Sequence, residues 1–166
     1  MGVAITTAAV KLIADLPHRP ARTIRMVAFA AEEVGIYGGK AYAEEYGSQD
    51  HVFGSELDYG LGKTQMLVPN VADEAIPVLQ EIWTVMEPMG IRWFTDMPGY
   101  IGADLSPMQK TGLRGAMVAV DWTRYFDYHH SGADTIELIE AEDLDFNTAA
   151  YAALLYLTAE YEGRFD

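Results

Sequence analysis

The sequence predicts an α/β fold in which helices cover both faces of a mostly parallel β-sheet. Apolar runs of strand length alternate along the chain with segments whose apolar residues recur at helical spacing. Acidic residues and histidines follow the predicted strands, at the sheet edge where functional groups collect in such folds. At 166 residues the chain has the size of one domain, and no repeat or linker interrupts it. We therefore expect one three-layer αβα domain over residues 1–166.

The first half of the chain alternates helices with strands. Helical spacing of apolar residues predicts helices over residues 3–16 and 36–46, the first ending before a proline and the second before a glycine. Continuous apolar runs predict strands over residues 23–30 and 51–58, of which the first reads as largely buried. The pair Glu32-Glu33 follows that first strand.

The second half begins with a stretch that Gly60, Gly62 and Pro69 interrupt, so no regular element is expected there. Beyond it, helical spacing and short apolar runs again alternate. The predicted helices cover residues 72–89, 104–110 and 141–160, and the predicted strands cover residues 91–95 and 115–120, with an aromatic loop over residues 121–134. The last helix places one apolar stripe toward the core, formed by Leu144, Ala149, Ala153, Leu154 and Leu157.

Composition excludes several classes of function. With a formal net charge of −14 and only 11 Lys and Arg, the chain has no basic face for phosphates, so nucleic-acid binding is not expected. No apolar run reaches the roughly 18 residues that a membrane span requires. The absence of cysteine leaves His, Asp and Glu as the strong metal ligands. The opening residues lack the pattern of a secretory signal, and nothing else indicates a compartment.

Two acidic positions follow the predicted strands of the first half. Side chains of adjacent residues at a strand end point in different directions, so one of Glu32 and Glu33 can bind a metal while the other holds a water as general base. Such a pair is common, and taken by itself it is better explained as the solvated start of a helix. Asp58, at the end of the second strand, is unremarkable alone.

The segment from Tyr128 to Thr135 follows the last predicted strand. Neutral imidazole suits Zn²⁺, and a nearby carboxylate commonly fixes the ring of a metal-bound histidine. His129, His130 and Asp134 fit that pattern. A surface loop, or a core histidine with a satisfied hydrogen bond, is the alternative interpretation.

Four separated segments, in this order, together resemble the zinc metallopeptidases of family M28. They are the strand, Glu-Glu pair and Gly-rich helix start of residues 22–42, the run Glu56-Leu57-Asp58, the run Gly102-Ala103-Asp104-Leu105-Ser106-Pro107 with Gly112, and the spacing His130-x-x-x-Asp134-Thr135. The resemblance covers essentially the whole chain. It implies the zinc-exopeptidase form of the fold, with a mixed, mostly parallel sheet that lacks its N-terminal strands, so that residues 1–166 form a partial peptidase domain.

The resemblance also implies the central roles. Glu32 would be the general base, Glu33 and His130 would bind one zinc ion, and Asp58 would bind the other. His130 matches the family's ligand because it lies four residues before the aspartate of the Asp-Thr pair.

Three further residues receive supporting roles from the same resemblance. Asp134 would stand behind the metal ligands, and His129 would face the substrate or the developing oxyanion. Asp104 would either line the site or brace a loop.

Members of the family carry a His-x-Asp segment and an Asp-Asp-Gly turn before the helix that begins here at Gly2. These elements supply a further histidine and the aspartate that bridges two zinc ions. We therefore expect residues 1–166 to hold one zinc weakly or none, because catalytic zinc normally has three protein ligands. Loss of the upstream strands would also expose a sheet edge, from which we expect a homodimer.

The expected function is zinc-dependent exopeptidase activity of the aminopeptidase or dipeptidase type on a peptide substrate, impaired in this chain. A non-catalytic peptidase-like module that binds a peptide or another partner is the alternative, and metal content separates the two. An unrelated flavodoxin-like or nucleotide-binding domain would need a Gly-rich phosphate loop where residues 31–35 carry acids instead.

Overall fold

The computed structural model describes residues 1–58, 61–95 and 99–166, which form an α/β fold built on a mixed sheet. The helices are α1 (Gly2–Ala14), α2 (Tyr37–Tyr46), α3 (Ile76–Met86), α4 (Ser106–Gln109), α5 (Tyr125–Tyr128) and α6 (Ala141–Glu160). The strands are β1 (Thr64–Asn70), β2 (Arg92–Trp93) and β3 (Gly115–Val120). Short 3-10 turns cover Asp73–Ala75, Glu87–Met89, Trp122–Arg124 and Ile136–Leu138.

The strand order is β2-β1-β3, with β1 parallel to β2 and antiparallel to β3. The β1–β3 ladder runs along both strands, and all six residues of β3 are buried. On the outer edge of β3, Gly54 forms a parallel bridge with Gly115, in which the Gly54 amide donates to the Arg114 carbonyl at 2.9 Å. The segment 51–58 therefore meets the outer edge of the sheet at this isolated bridge.

Successive residues around Gly54 face opposite sides of the sheet, as expected of extended backbone. Phe53 stacks edge-on against Phe165 with ring centroids 4.9 Å apart, and the Ser55 hydroxyl lies 3.2 Å from the Tyr151 hydroxyl of α6. On the opposite face, Gly54 lies against the side chain of Leu113, in the cluster that packs α4 against α2. Helices thus lie on both faces, as the sequence predicts.

The principal core lies between the sheet and helices α1, α3 and α6. Its buried members include Leu67 of β1, Leu79 of α3 and Tyr151 of α6. The side chain of buried Asn147 in α6 accepts from the Thr64 amide at 2.7 Å and donates to the Gly62 carbonyl at 2.9 Å. This pair of bonds fixes the start of β1 against α6.

The helix predictions and the two strand predictions of the second half agree closely with the structure. Each predicted helix is present, with α4 shorter than its predicted range, and β3 and α6 match their predicted bounds. The predicted aromatic loop contains α5 and a 3-10 turn.

The interruption predicted around residues 60–69 is wrong, because residues 64–70 form β1, the central strand. Pro69 is tolerated there because, among the described residues, β2 pairs only with Met66 and Leu67, and no described strand pairs with that side of β1 at the proline. Gly60 lies outside the described residues.

The two strand predictions of the first half are also corrected. Residues 23–30 form no ladder with the other described residues and are half-exposed or exposed, and residues 51–58 pair only through the bridge at Gly54. A ladder requires neighbouring strands about 4.8 Å apart. Here both segments instead line one cavity of about 640 Å³, together with residues of α1 and α6.

The apolar stripe predicted for α6 is partly wrong. Leu154 is buried as expected, but Ala149 is exposed, and the buried face includes the polar residues Asn147 and Thr158. Both polar side chains are hydrogen-bonded inside the protein, so a search for apolar spacing alone misplaces the face. Among the described residues, none of the helices combines the length and apolar character needed to cross a membrane.

Truncation of Leu67 to alanine is expected to lower the free energy of unfolding by about 2–5 kcal/mol, because the fully buried side chain would leave a cavity. The matched control is Val85→Ala on α3, where the side chain is 54% exposed and a change within about 0.5 kcal/mol is expected. Urea denaturation measures both. Equal losses in the two variants would contradict the assigned core.

Candidate functional site

A tight turn places Glu32 and Glu33 between the extended segment 23–30 and α2. The Glu32 carbonyl accepts hydrogen bonds from the amides of Gly35 and Ile36, at 2.9 and 2.8 Å. Ala31 and Ile36, on either side of the acidic pair, adopt positive φ angles of 60° and 56°. Residues other than glycine rarely adopt this conformation, and it occurs often at functional sites.

The second part of the site follows β3 and the short helix α5. His130 comes two residues after the end of α5 and has a φ of 54°, the third such non-glycine position. Its Nε2 atom lies 3.0 Å from Oε1 and 2.9 Å from Oε2 of Glu33. The two side chains are each more than half exposed. A histidine and a carboxylate 97 residues apart in sequence therefore face one another directly.

Aromatic rings extend this contact along the surface. The His129 ring stacks on the His130 ring with centroids 3.8 Å apart, and on the Tyr125 ring at 4.5 Å. Phe126 packs edge-on against His129 while remaining 83% exposed. Stacking on both faces fixes the position of the His129 ring next to the Glu33–His130 pair.

The acidic part of the site lies where segment 51–58 meets the loop of residues 101–105. Asp58 is exposed, and it lines the 640 Å³ cavity together with Glu56 and Asp104. Burial raises the pKa of Asp104, and the negative charges of Glu32 and Asp58 raise it further, while a hydrogen bond from the Gly39 amide lowers it. Asp104 is therefore the residue that connects Asp58 electrostatically with the Glu32 turn.

Glu56 is the residue of this region that the sequence analysis left without a role. Its carboxylate accepts hydrogen bonds from the amides of Asp104 and Leu105, at 3.3 and 2.9 Å. Burial raises its pKa to about 7, in spite of those two bonds, which pull the pKa down. A signal was present in the sequence, because residues two apart in an extended segment share a face, and Glu56 lies two residues before Asp58.

The structure brings some of the proposed site residues together and leaves others apart. Glu33 and His130 are in contact, and His129 stacks on His130. For Asp134 the structure shows a backbone bond from its amide to the Ser131 carbonyl at 3.2 Å, with the residue exposed. Within residues 1–58, 61–95 and 99–166, no three His, Asp or Glu side chains are grouped closely enough to hold one metal ion.

Comparison with known proteins shows the family of this chain. The sequence profile of peptidase family M28 matches residues 1–155. The chain belongs to peptidase family M28. A solved structure, that of a peptidase M28 precursor from Shewanella amazonensis SB2B, superposes on 99% of the chain with a TM-score of 0.91 and 39% sequence identity. The M28 family and fold expected from the four sequence segments are thereby confirmed.

Relatives within M28 identify the branch. Carboxypeptidase Q is 29% identical to this chain in Bos taurus over 163 residues and 28% identical in Homo sapiens over 163 residues, covering 97% of the chain in both. Residues 125–131 in particular resemble this carboxypeptidase Q, or plasma glutamate carboxypeptidase, branch of the family. The chain spans 34% of the length of these carboxypeptidases and 38% of the Shewanella chain.

The raised pKa of Glu56 predicts a pH dependence of stability. The folded-state pKa of about 7 lies above the ordinary value of 4.5, so the protonated carboxyl favours the folded state. That stabilisation is complete below the ordinary value and is lost as pH rises through the folded-state value. Relative to Glu56→Gln, the unmodified chain is expected to lose about 1–3 kcal/mol of unfolding free energy across this window. Urea denaturation at several pH values measures it, and parallel curves for the two proteins would contradict it.

Proposed function

We propose that this chain carries the chemistry of a zinc-dependent exopeptidase of the aminopeptidase or dipeptidase type, acting on peptide substrates. The observation that carries the proposal is the direct contact between Glu33 and His130, next to Glu32, in a chain of family M28. On this proposal, residues 1–166 form a single partial peptidase domain without the N-terminal strands of its relatives.

The donor set fits zinc. One imidazole nitrogen and both oxygens of one carboxylate converge at this contact, and imidazole and carboxylate are the ligands that a chain without cysteine offers to Zn²⁺. We assign Glu33 and His130 to one zinc ion and Asp58 to a second. When bound, zinc would polarise a water and the scissile carbonyl.

Glu32 is proposed as the general base. It is adjacent to Glu33 in a turn fixed by two backbone hydrogen bonds, and its charge acts on Asp104, which lines the cavity beside Asp58. In peptide hydrolysis it would take a proton from the attacking water and deliver it to the departing amine. His129, held by ring stacking, would face the substrate or the developing oxyanion, and Asp134 would support His130.

We further propose that residues 1–166 hold zinc weakly and are impaired as a peptidase. They offer two donors for one zinc and a single carboxylate for the other, whereas catalytic zinc normally has three protein ligands. An upstream segment that adds His-x-Asp and Asp-Asp-Gly elements is expected to raise both zinc affinity and dipeptide hydrolysis. Equal values with and without that segment would contradict the proposed impairment.

A homodimer is also proposed, through residues 23–30, which form no ladder with any other described part of the chain. Extended backbone without a ladder partner is a template for pairing with another chain. Sedimentation equilibrium tests this proposal, and a monomer at all accessible concentrations would refute it.

Replacement of His130 by alanine is expected to weaken zinc binding by at least about tenfold, on the scale that even supporting residues of zinc sites contribute. Isothermal titration with zinc measures the affinity. The matched control is His18→Ala, which removes an exposed histidine outside the site and should leave the affinity unchanged. Equal affinities for both variants would refute the ligand assignment and favour a peptidase-like binding module.

Replacement of Glu32 by glutamine is expected to lower the kcat of dipeptide hydrolysis by about 10²–10⁴-fold, because the proton acceptor is lost. Zinc affinity should stay within a few-fold of the unmodified chain, since Glu33 and His130 remain. The zinc-loaded chain is assayed with and without the substitution. A variant with undiminished hydrolysis would exclude Glu32 as the base.

A further inference from the structure

Glu56 joins segment 51–58 to both ends of the loop of residues 101–105. Its carboxylate accepts the amides of Asp104 and Leu105, and its own amide donates to the Ile101 carbonyl at 3.1 Å. Hydrogen bonds to a charged acceptor are among the stronger ones in proteins. Three bonds from a single residue therefore determine where this loop lies.

The loop is shaped to receive that carboxylate. Gly102 has a φ of 143°, and a Cβ atom built on it would lie 2.1 Å from Oε2 of Glu56. A side chain at position 102 would therefore displace the carboxylate from the two amides. The absence of a side chain here allows the close approach of Glu56.

On its other side the loop contacts the first turn of α2. A Cβ atom on Gly39 would lie 2.2 Å from the Asp104 carbonyl oxygen, so the backbones of the loop and of α2 are in close contact. Gly39 belongs to the helix that follows the Glu32 turn. The position of the loop therefore places Asp104 against that helix.

The position of Asp104 has an electrostatic cost. Its Oδ1 atom is buried and has no hydrogen-bond partner among the described residues, and the charges of Glu32 and Asp58 act on it. A buried acceptor without a donor, next to like charges, is unfavourable. Contacts elsewhere must hold the loop in place, and the bonds to Glu56 are the contacts that do so from the Asp58 side.

We propose that Glu56 is a positioning residue of the candidate site, which holds the Asp104 carboxylate between Asp58 and the Glu32 turn by fixing the 101–105 loop. The importance of this role for catalysis rests on the proposed function, in which Asp58 and Glu32 take part. The geometric claim itself does not require a bound metal.

The test follows the carbon-13 signal of the Asp104 carboxyl group by NMR at one fixed pH above neutrality. Asp58→Asn is expected to shift this signal in the otherwise unmodified chain, because the two carboxylates are neighbours. In a Glu56→Gln background the shift caused by Asp58→Asn should fall to less than half. We call this shift of the Asp104 signal by Asp58→Asn the Asp104 response. Gly102→Ala, which displaces the carboxylate without changing Glu56, should reduce the Asp104 response in the same way.

Glu160→Gln is the matched control. Glu160 is also half-buried and also accepts a backbone amide, that of Ala21 at 3.2 Å, but it braces a loop outside the site. It should lower thermal stability to an extent similar to Glu56→Gln and leave the Asp104 response intact. A full response in the Glu56→Gln and Gly102→Ala backgrounds, an equal loss in Glu160→Gln, or no response in the unmodified chain would each overturn the proposal.

Zinc titration of the same proteins separates this result from the proposed function. If zinc fails to bind at Glu33 and His130 even when the upstream His-x-Asp and Asp-Asp-Gly elements are present, while the Asp104 response depends on Glu56, the peptidase proposal fails and the positioning role stands. If zinc binds as proposed and the response is independent of Glu56, the positioning role alone fails.

Discussion

The antiparallel pairing of β1 with β3 is the constraint on which the candidate site depends. β3 is buried along its whole length, and Asn147 fixes the start of its partner strand against α6. The chain that leaves β3 carries His130, and the outer edge of β3 holds Gly54, four residues before Asp58. One strand therefore positions both the histidine side and the aspartate side of the site.

The contact between Glu33 and His130 contributes little to stability by itself. Both side chains are largely exposed, and an exposed ion pair typically contributes about 0–1 kcal/mol. The surrounding backbone must create the contact, which agrees with positive φ angles at Ala31, Ile36 and His130. Here the backbone adopts uncommon conformations that bring two exposed side chains into contact. Such backbone strain is typical of a functional site rather than of an ion pair that stabilises the fold.

Sequence reasoning predicted the parts of the fold that depend on local pattern. Helix α6 and strand β3 have the expected bounds, although the buried face of α6 includes polar residues that apolar spacing does not predict. Sequence reasoning failed where the pairing of β-strands decides the structure. Strand β1 contains a proline at a position where no described strand pairs with one of its sides. Residues 23–30 have a strand-like composition but form no ladder with the rest of the described chain.

In the candidate site, too, sequence reasoning found the residues that a motif marks and missed a residue whose role depends on the folded structure. The motif spacing identified Glu33 and His130, whose contact the structure shows, because residue type and order carry that information. The spacing of Glu56 from Asp58 places the two on one face of an extended segment, but the role of Glu56 depends on two amides almost fifty residues away, which that spacing does not reveal. Burial and the charge of Asp58 both raise the pKa of Asp104, and these effects exist only in the folded chain.

X-ray absorption spectroscopy of the zinc-loaded chain tests most directly whether the Glu33–His130 pair is a metal-binding unit. The account predicts a first coordination sphere with one imidazole nitrogen and carboxylate oxygens at about 2.0–2.2 Å, and loss of the imidazole contribution in His130→Ala. A spectrum with water and carboxylate oxygens only, unchanged by that substitution, would contradict it.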